Sequence, residues 1–334
     1  MSNYENFEDY DNYEIDGCDH THGKRKGEWN SYRPVETGLP CPAPVPPPAA
    51  SVQATQPISQ PAAPPVASPG KAAKIFPWVG SKQRLLPALR EYYPKGFKNY
   101  FEPCCGSASV FFDLFNRGFR GQAVLADLNP LLINTLATIK KDPAGLVKRF
   151  QHYADRHSEE YYLRIRAQPH SLLSDEENAA RFLYIVKSSY NGFWRENSKG
   201  VCNSAWGKNK KVSLDSDATH TFSHALQGTD LLQGDFGNVL NAKANDFVYL
   251  DPPYDETFSD YSAIKFGQED HKRLHHICCQ LDKRHALFMQ SNSDTLFIRH
   301  LYRDFQIVEV KAQQLIASNS AKRGTRNELL IMNY

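Results

Sequence analysis

The run DFVYLDPPYD, Asp246 to Asp255, carries an apolar segment straight into an acid, two prolines and a tyrosine. Proline fixes φ at about −65°, so the backbone beyond Leu250 is stiff. The Asp251 carboxylate and the Pro252 carbonyl become two fixed acceptors side by side, and Tyr254 adds a flat face. Two acceptors and a stacking ring suit an exocyclic amino group on an aromatic ring, such as that of adenine. The lone pair of that amine is delocalised into the ring. Hydrogen bonds from both of its protons localise the pair, which can then attack an electrophilic methyl group without a strong base. D-P-P is also ordinary turn chemistry, so this motif gains meaning only from its company.

A second constellation lies in YFEPCCGSASVFF, residues 100–112, where a strand-like run ends in Glu102 and a small-residue turn opens a helix. Backbone amides are free at such a helix start, the geometry of a nucleotide-type cofactor loop. Asp127 follows Gly106 by 21 residues, at the end of the next strand-like run. An acid at that spacing is placed to accept hydrogen bonds from ribose hydroxyls. The competing reading makes Asp127 the cap of the helix after DLNP. The spacing favours ribose.

These residues need a scaffold that brings strand ends together. FKNYFEP, QAVLADLNP, DFVYLDPPY and HALFMQSN read as strands, and FQIVEV and NELLIMNY as a closing pair. ASVFFDLFNRG, LLINTLATIKK, QEDHKRLHHICCQL and DTLFIRHLY read as helices between them; in the third, Leu274, Ile277, Cys278 and Leu281 fall on one face. Continuous apolar strands alternating with helices predict an α/β fold, its largely parallel sheet covered on both faces. Ligands of such sheets bind beyond the carboxyl ends of the strands, where Glu102, Asp127, Asp251 and Ser291–Asn292 fall. Residues 142–245 break the alternation and read as an insertion between two strands of the sheet.

The chain of 334 residues divides sharply in composition. Residues 1–70 hold 12 of the 21 prolines, and four Lys/Arg against nine Asp/Glu, a net of −5. The remainder holds 35 basic and 28 acidic residues, a net of +7, which suits a polyanionic partner. The first 70 residues read as a disordered acidic, then Pro/Ala-rich tail, or as a docking arm for an unknown partner. Seven cysteines without a C-x-x-C predict neither a disulfide framework nor a metal site. No signal peptide and no membrane span are expected.

Taken together, the motifs resemble the adenine-specific DNA methyltransferases of the Dam type. PWVGSKQRLLPAL is similar to that family's first cofactor motif, FEPCCGSASVFF to its glycine loop and LADLNPLLINTLATIK to the acid-bearing motif that follows. YNGFWRENSKGVCNSAWG resembles its recognition hairpin, DFVYLDPPY its catalytic motif, and the stretch from SNSDTLFIRHLY to KRGTRNELLIMNY its C-terminal end. The order resembles the alpha arrangement of amino-methyltransferases and covers about residues 74–334.

The resemblance implies a Rossmann-like S-adenosylmethionine-dependent methyltransferase fold with an inserted, mainly helical DNA-recognition subdomain carrying a β-hairpin. Residues 71–141 and 230–334 would form the catalytic domain, and 142–229 the recognition subdomain. Asp251, Pro252 and Tyr254 would be catalytic. Trp78, Lys82, Asp127 and Asp251 would bind S-adenosylmethionine. Tyr190, Asn191 and Arg195 would contact double-stranded DNA, with Lys199, Lys208, Lys210 and Lys211 on its backbone. A duplex buries the adenine amine, so the base must flip out, at a cost of a few kcal/mol. The resemblance further implies a cytoplasmic, DNA-associated monomer or weak dimer in a bacterial or phage-infected cell, with GATC as the family's target. Ala108 stands where the family commonly has a second glycine, Phe193 where it often has Leu, and Ala205 where it often has Pro. The competing readings are N4-cytosine methylation, against which Asp251 argues because that group more often has Ser before the prolines, and a DNA-binding protein without turnover.

Overall fold

Strand β1 (Tyr100–Glu102) is buried at every position, and so is β4 (Phe247–Leu250). Their residues alternate between two apolar layers. Tyr100, Phe247 and Tyr249 pack into one, and Phe101, Val248 and Leu250 into the other. A strand with both faces covered must be apolar throughout, which is why these runs show no period of two. A computed structural model of the chain describes residues 71–72, 74–197, 200–255, 266–313 and 325–334. The expected tail, residues 1–70, and Lys199 lie outside them.

Seven strands form one sheet in the order β3-β2-β1-β4-β5-β7-β6. β2 (Ala123–Asp127), β3 (Thr229–Gln233) and β5 (Leu287–Ser293) run parallel to β1 and β4. β7 (Thr325–Met332) runs antiparallel between β5 and β6 (Gln306–Gln313). The chain winds outward from β1 through β2 to β3, then returns to lay β4 against β1. That reversal is a topological switch point, with its crevice at the carboxyl ends of β1 and β4. The fold is thus the Rossmann-like α/β arrangement expected.

One layer of helices contains α1 (Leu86–Tyr92), α2 (Ser109–Asn116) and α3 (Pro130–Lys141), continued by α4 (Pro143–Ala154), α5 (Glu159–Ala167), α6 (Asp175–Ser188) and α7 (Ser216–Leu226). The other layer is α8 (Gln268–Lys283) and α9 (Leu296–Leu301). The α8 face expected to be apolar is buried, and Asp270 accepts the Gly267 amide at its start (2.9 Å). β3 differs from the sequence reading, which passed over TDLLQ. It is an edge strand with mixed burial, so it carries neither an apolar run nor a clean alternation. The insertion packs into the same apolar layer as α1–α3.

Candidate active site

The adjacent ends of β1 and β4 present two carboxylates. Glu102 is 3% exposed, and its Oε2 accepts the Tyr100 hydroxyl (3.0 Å) and the Phe111 amide (3.2 Å). Burial pushes its carboxyl up to about 8, with the neighbouring Asp251 charge adding to the shift. Asp251 lies 2.7 Å from the Lys82 ammonium. Burial raises Asp251 to about 6, and Lys82 opposes that rise. Lys82 also donates to the Gly80 carbonyl (2.9 Å) and stands 4.9 Å from the centre of the Tyr254 ring. The Tyr254 hydroxyl donates to Glu328 of β7 (2.8 Å).

The stiffness of the turn has a second source beyond its prolines. The Asp255 amide donates to Asn292 (3.3 Å), and the Ser293 hydroxyl donates to the Asp255 carbonyl (2.8 Å). The Thr295 hydroxyl donates to the Asp255 carboxylate (2.7 Å). The end of β5 therefore clamps the far side of the D-P-P-Y step. Beneath it, Tyr249 and Ser291 share a buried hydrogen bond of 2.6 Å.

The glycine turn lies across the crevice. Gly106 has φ +49°, and a Cβ there would sit 2.7 Å from the Trp78 indole, so only glycine admits that contact. Asp127 accepts the Gly106 amide at Oδ2 (3.0 Å) and the Asn129 amide at Oδ1 (3.0 Å). The cap of α3 is Asn129, which accepts from Leu131 and Leu132. The capping role considered for Asp127 belongs to its neighbour two residues on. Ala108 occupies the left-handed region (φ 52°), where a glycine would be unstrained. Burial pushes the thiols of Cys104 and Cys105 well above their usual range, so both stay protonated.

Chemically, the crevice offers buried carboxylates, a close-approach glycine turn and an indole. That set fits the cationic, ribose-bearing S-adenosylmethionine implied by the sequence resemblance: carboxylates accept hydroxyl and ammonium protons, and the turn lets backbone approach a nucleoside.

The arm from Ser189 to Trp206 holds the residues assigned to DNA. It is an irregular hairpin, closed by isolated antiparallel bridges at Ser189–Trp206 and Glu196–Cys202, not two continuous strands. Its pivot is buried Ser204, whose hydroxyl accepts the Arg195 amide (2.9 Å). The Ser204 carbonyl accepts from Tyr162 (3.0 Å) and Arg166 (2.7 Å) of α5. Tyr190 is 60% exposed, and Asn191 and Arg195 are exposed beside it. Gly192 seats the arm on Pro77, next to Trp78. The structure thus joins Lys82, Asp251 and Tyr254 in one cluster, and Trp78, Gly106 and Asp127 in another. Tyr190, Asn191 and Arg195 stand on the arm. The sequence shows Glu102 at its strand end and Glu328 within the stretch that resembles the family's C-terminal end, but assigns neither a role.

Residues 78–316 match the family described as D12 class N6 adenine-specific DNA methyltransferase. The type II methyltransferase M1.LlaDCHI of Lactococcus lactis subsp. cremoris is 34% identical over 271 residues, covering 77% of this chain and 94% of its own length. The type II methyltransferase M.MjaIII of Methanocaldococcus jannaschii is 31% identical over 281 residues, covering 77% and 97%. A DNA adenine methylase of Haemophilus influenzae is 29% identical over 263 residues, covering 76% and 91%.

Proposed function

The chain belongs to the D12 class N6 adenine-specific DNA methyltransferases, and from that premise we propose how its residues divide the work of methylating adenine. It is an enzyme of DNA, with S-adenosylmethionine as its methyl donor. The observation that carries the assignment of roles is the Lys82–Asp251–Tyr254 cluster at the switch point. The flipped adenine stacks on Tyr254. Its amine donates one proton to the Asp251 carboxylate and the other to the Pro252 carbonyl, which localises the lone pair. S-adenosylmethionine supplies the electrophilic methyl group when bound. Trp78, Lys82, Asp127 and Asp251 would hold it, Asp127 at the ribose hydroxyls. Lys82 keeps Asp251 ionised, and therefore an acceptor, at neutral pH. As the amine is methylated its proton becomes acidic and leaves by way of Asp251.

Tyr190 and Asn191 fill the gap left by the flipped base, and Arg195 reads a neighbouring guanine, a contact worth roughly 1–3 kcal/mol of discrimination. GATC, the family's target, is the first sequence to test, although Phe193 and Ala205 depart from the family at positions that touch bases and so argue against it. The proposed compartment is the cytoplasm, where the DNA of a bacterial or phage-infected cell lies. Residues 142–229 serve as the recognition subdomain.

Asp251→Ala tests the assignment. Incorporation of tritiated methyl groups into DNA is abolished while DNA binding is retained. Full activity in this variant overturns the mechanism. Methylation-sensitive long-read sequencing of DNA from expressing cells reports the modified base and its context.

A further inference from the structure

Tyr254 does more than present a ring. Stacking needs only its π face, which phenylalanine would supply equally, yet its hydroxyl is spent on Glu328, 74 residues further along the chain (2.8 Å). Burial, with the neighbouring carboxylates, raises the phenol well above its usual range, so it stays a donor. Glu328 lies in KRGTRNELLIMNY, the stretch that resembles the family's C-terminal end. Its backbone is fixed on both sides, because β7 pairs it with Ser293 of β5 and with Val310 of β6. Ser293 is one of the residues that clamp Asp255. The far end of the tyrosine is thus held by the same strand pair that holds the turn.

We propose that Glu328 is a positioning residue that fixes the far end of the Tyr254 ring, and with it the placement of the flipped adenine. This rests on the assignment of Asp251–Tyr254 as the target-base site. The χ2 torsion of a tyrosine is broad and roughly two-fold. Packing alone leaves the ring free to rock. The hydroxyl oxygen lies on the χ2 axis, so its hydrogen bond fixes where the far end of the ring sits, and because a phenol O–H prefers the plane of its ring the fixed acceptor also biases that plane. A base stacked on a tilted ring carries its amine away from Asp251 and Pro252, and misplacement by about 1 Å costs roughly 100-fold in rate. Glu328 also faces Asp251, whose other charged and titratable neighbours are Lys82, Glu102, Tyr249, Tyr254 and Cys104.

The test is single-turnover methylation of unmethylated plasmid DNA with tritiated S-adenosylmethionine, using the full chain, with DNA affinity measured in parallel. Glu328→Ala lowers the rate by about 10- to 100-fold and leaves DNA affinity unchanged. Glu328→Gln keeps an acceptor oxygen and restores the rate to within about threefold of wild type, as expected for a neutral replacement of a hydrogen-bond acceptor. Tyr254→Phe loses as much as Glu328→Ala. Adding Glu328→Ala to Tyr254→Phe costs nothing more, because both remove the same hydrogen bond. A merely structural glutamate would lower the Tyr254→Phe rate further, and that result overturns the proposal. So does Glu328→Ala at the wild-type rate while Asp251→Ala is inactive. If Glu328→Ala does not fold, Tyr254→Phe and Glu328→Gln decide: wild-type rate in the first, or loss in the second, overturns it. An active Asp251→Ala instead brings down the underlying base-site assignment.

Discussion

Asp251 and Glu102 sit at neighbouring strand ends, yet among the described residues only Asp251 has a cation within ion-pair distance. Lys82 opposes the rise that burial imposes on Asp251 and leaves it at about 6, mostly ionised near neutrality. Glu102 is driven up to about 8 and is mostly protonated there. One site thus holds an acceptor and a neutral acid. Replacing Lys82 by methionine removes the opposing charge, so Asp251 rises further. The midpoint of the acid limb of methyl transfer, measured in single turnover, moves up from about 6. The protonation of Glu102 bears on folding stability. Its folded value of about 8 exceeds the ordinary 4.5, so the folded chain holds a proton that the unfolded chain releases. The stability it contributes is full below pH 4.5 and is lost as pH rises through about 8. Glu102→Gln keeps the acceptor for Tyr100 and Phe111 without titrating. Thermal melts of wild type therefore fall relative to Glu102→Gln across that window.

Among the elements, the hairpin arm and the segment around Pro77 and Trp78 are coupled by close packing. Gly192 has φ +71°, and a Cβ there would lie 2.6 Å from Pro77. Lys187 of α6 donates to the Ile75 carbonyl (2.8 Å), and Trp194 of the arm packs on Phe182, which also touches Trp78. Gly192→Ala forces both backbone strain and a clash, so it destabilises by about 1–3 kcal/mol in denaturant titration. It also weakens DNA binding, because the arm is displaced from Pro77. Most of these elements were legible because their signals are local. β4 shows as an unbroken apolar run, the turn at Gly106 as a cluster of small residues, and α8 as a stripe at helical spacing. β3 was not, because its strand character comes from pairing with β2 and little from its own side chains. The partner of Lys82 was not legible either. A lysine in a motif says nothing of which distant carboxylate it will face.

At the scale of the molecule, residues 71–334 carry a net charge of +7, and exposed Lys208, Lys210 and Lys211 follow directly on the arm. Ion pairs to phosphates hold a duplex without reading it. Replacing these three lysines with alanine weakens binding about equally across DNA sequences. It also flattens the dependence of log K on log salt by about 0.9 for each phosphate that is no longer neutralised. The methylated sequence stays the same, which sequencing of the product checks. The sheet order places every strand of the switch point before the closing pair, and it places β7 between β5 and β6. A ribosome therefore finishes β1, β4, Asp251 and Tyr254 well before it makes the strand that seals the edge of β5 and carries Glu328. Synthesis that halts ahead of Thr325 leaves that edge open for pairing with other chains and leaves the tyrosine without its anchor. A chain that has not passed β7 therefore lacks both the Tyr254–Glu328 hydrogen bond and the cover on β5.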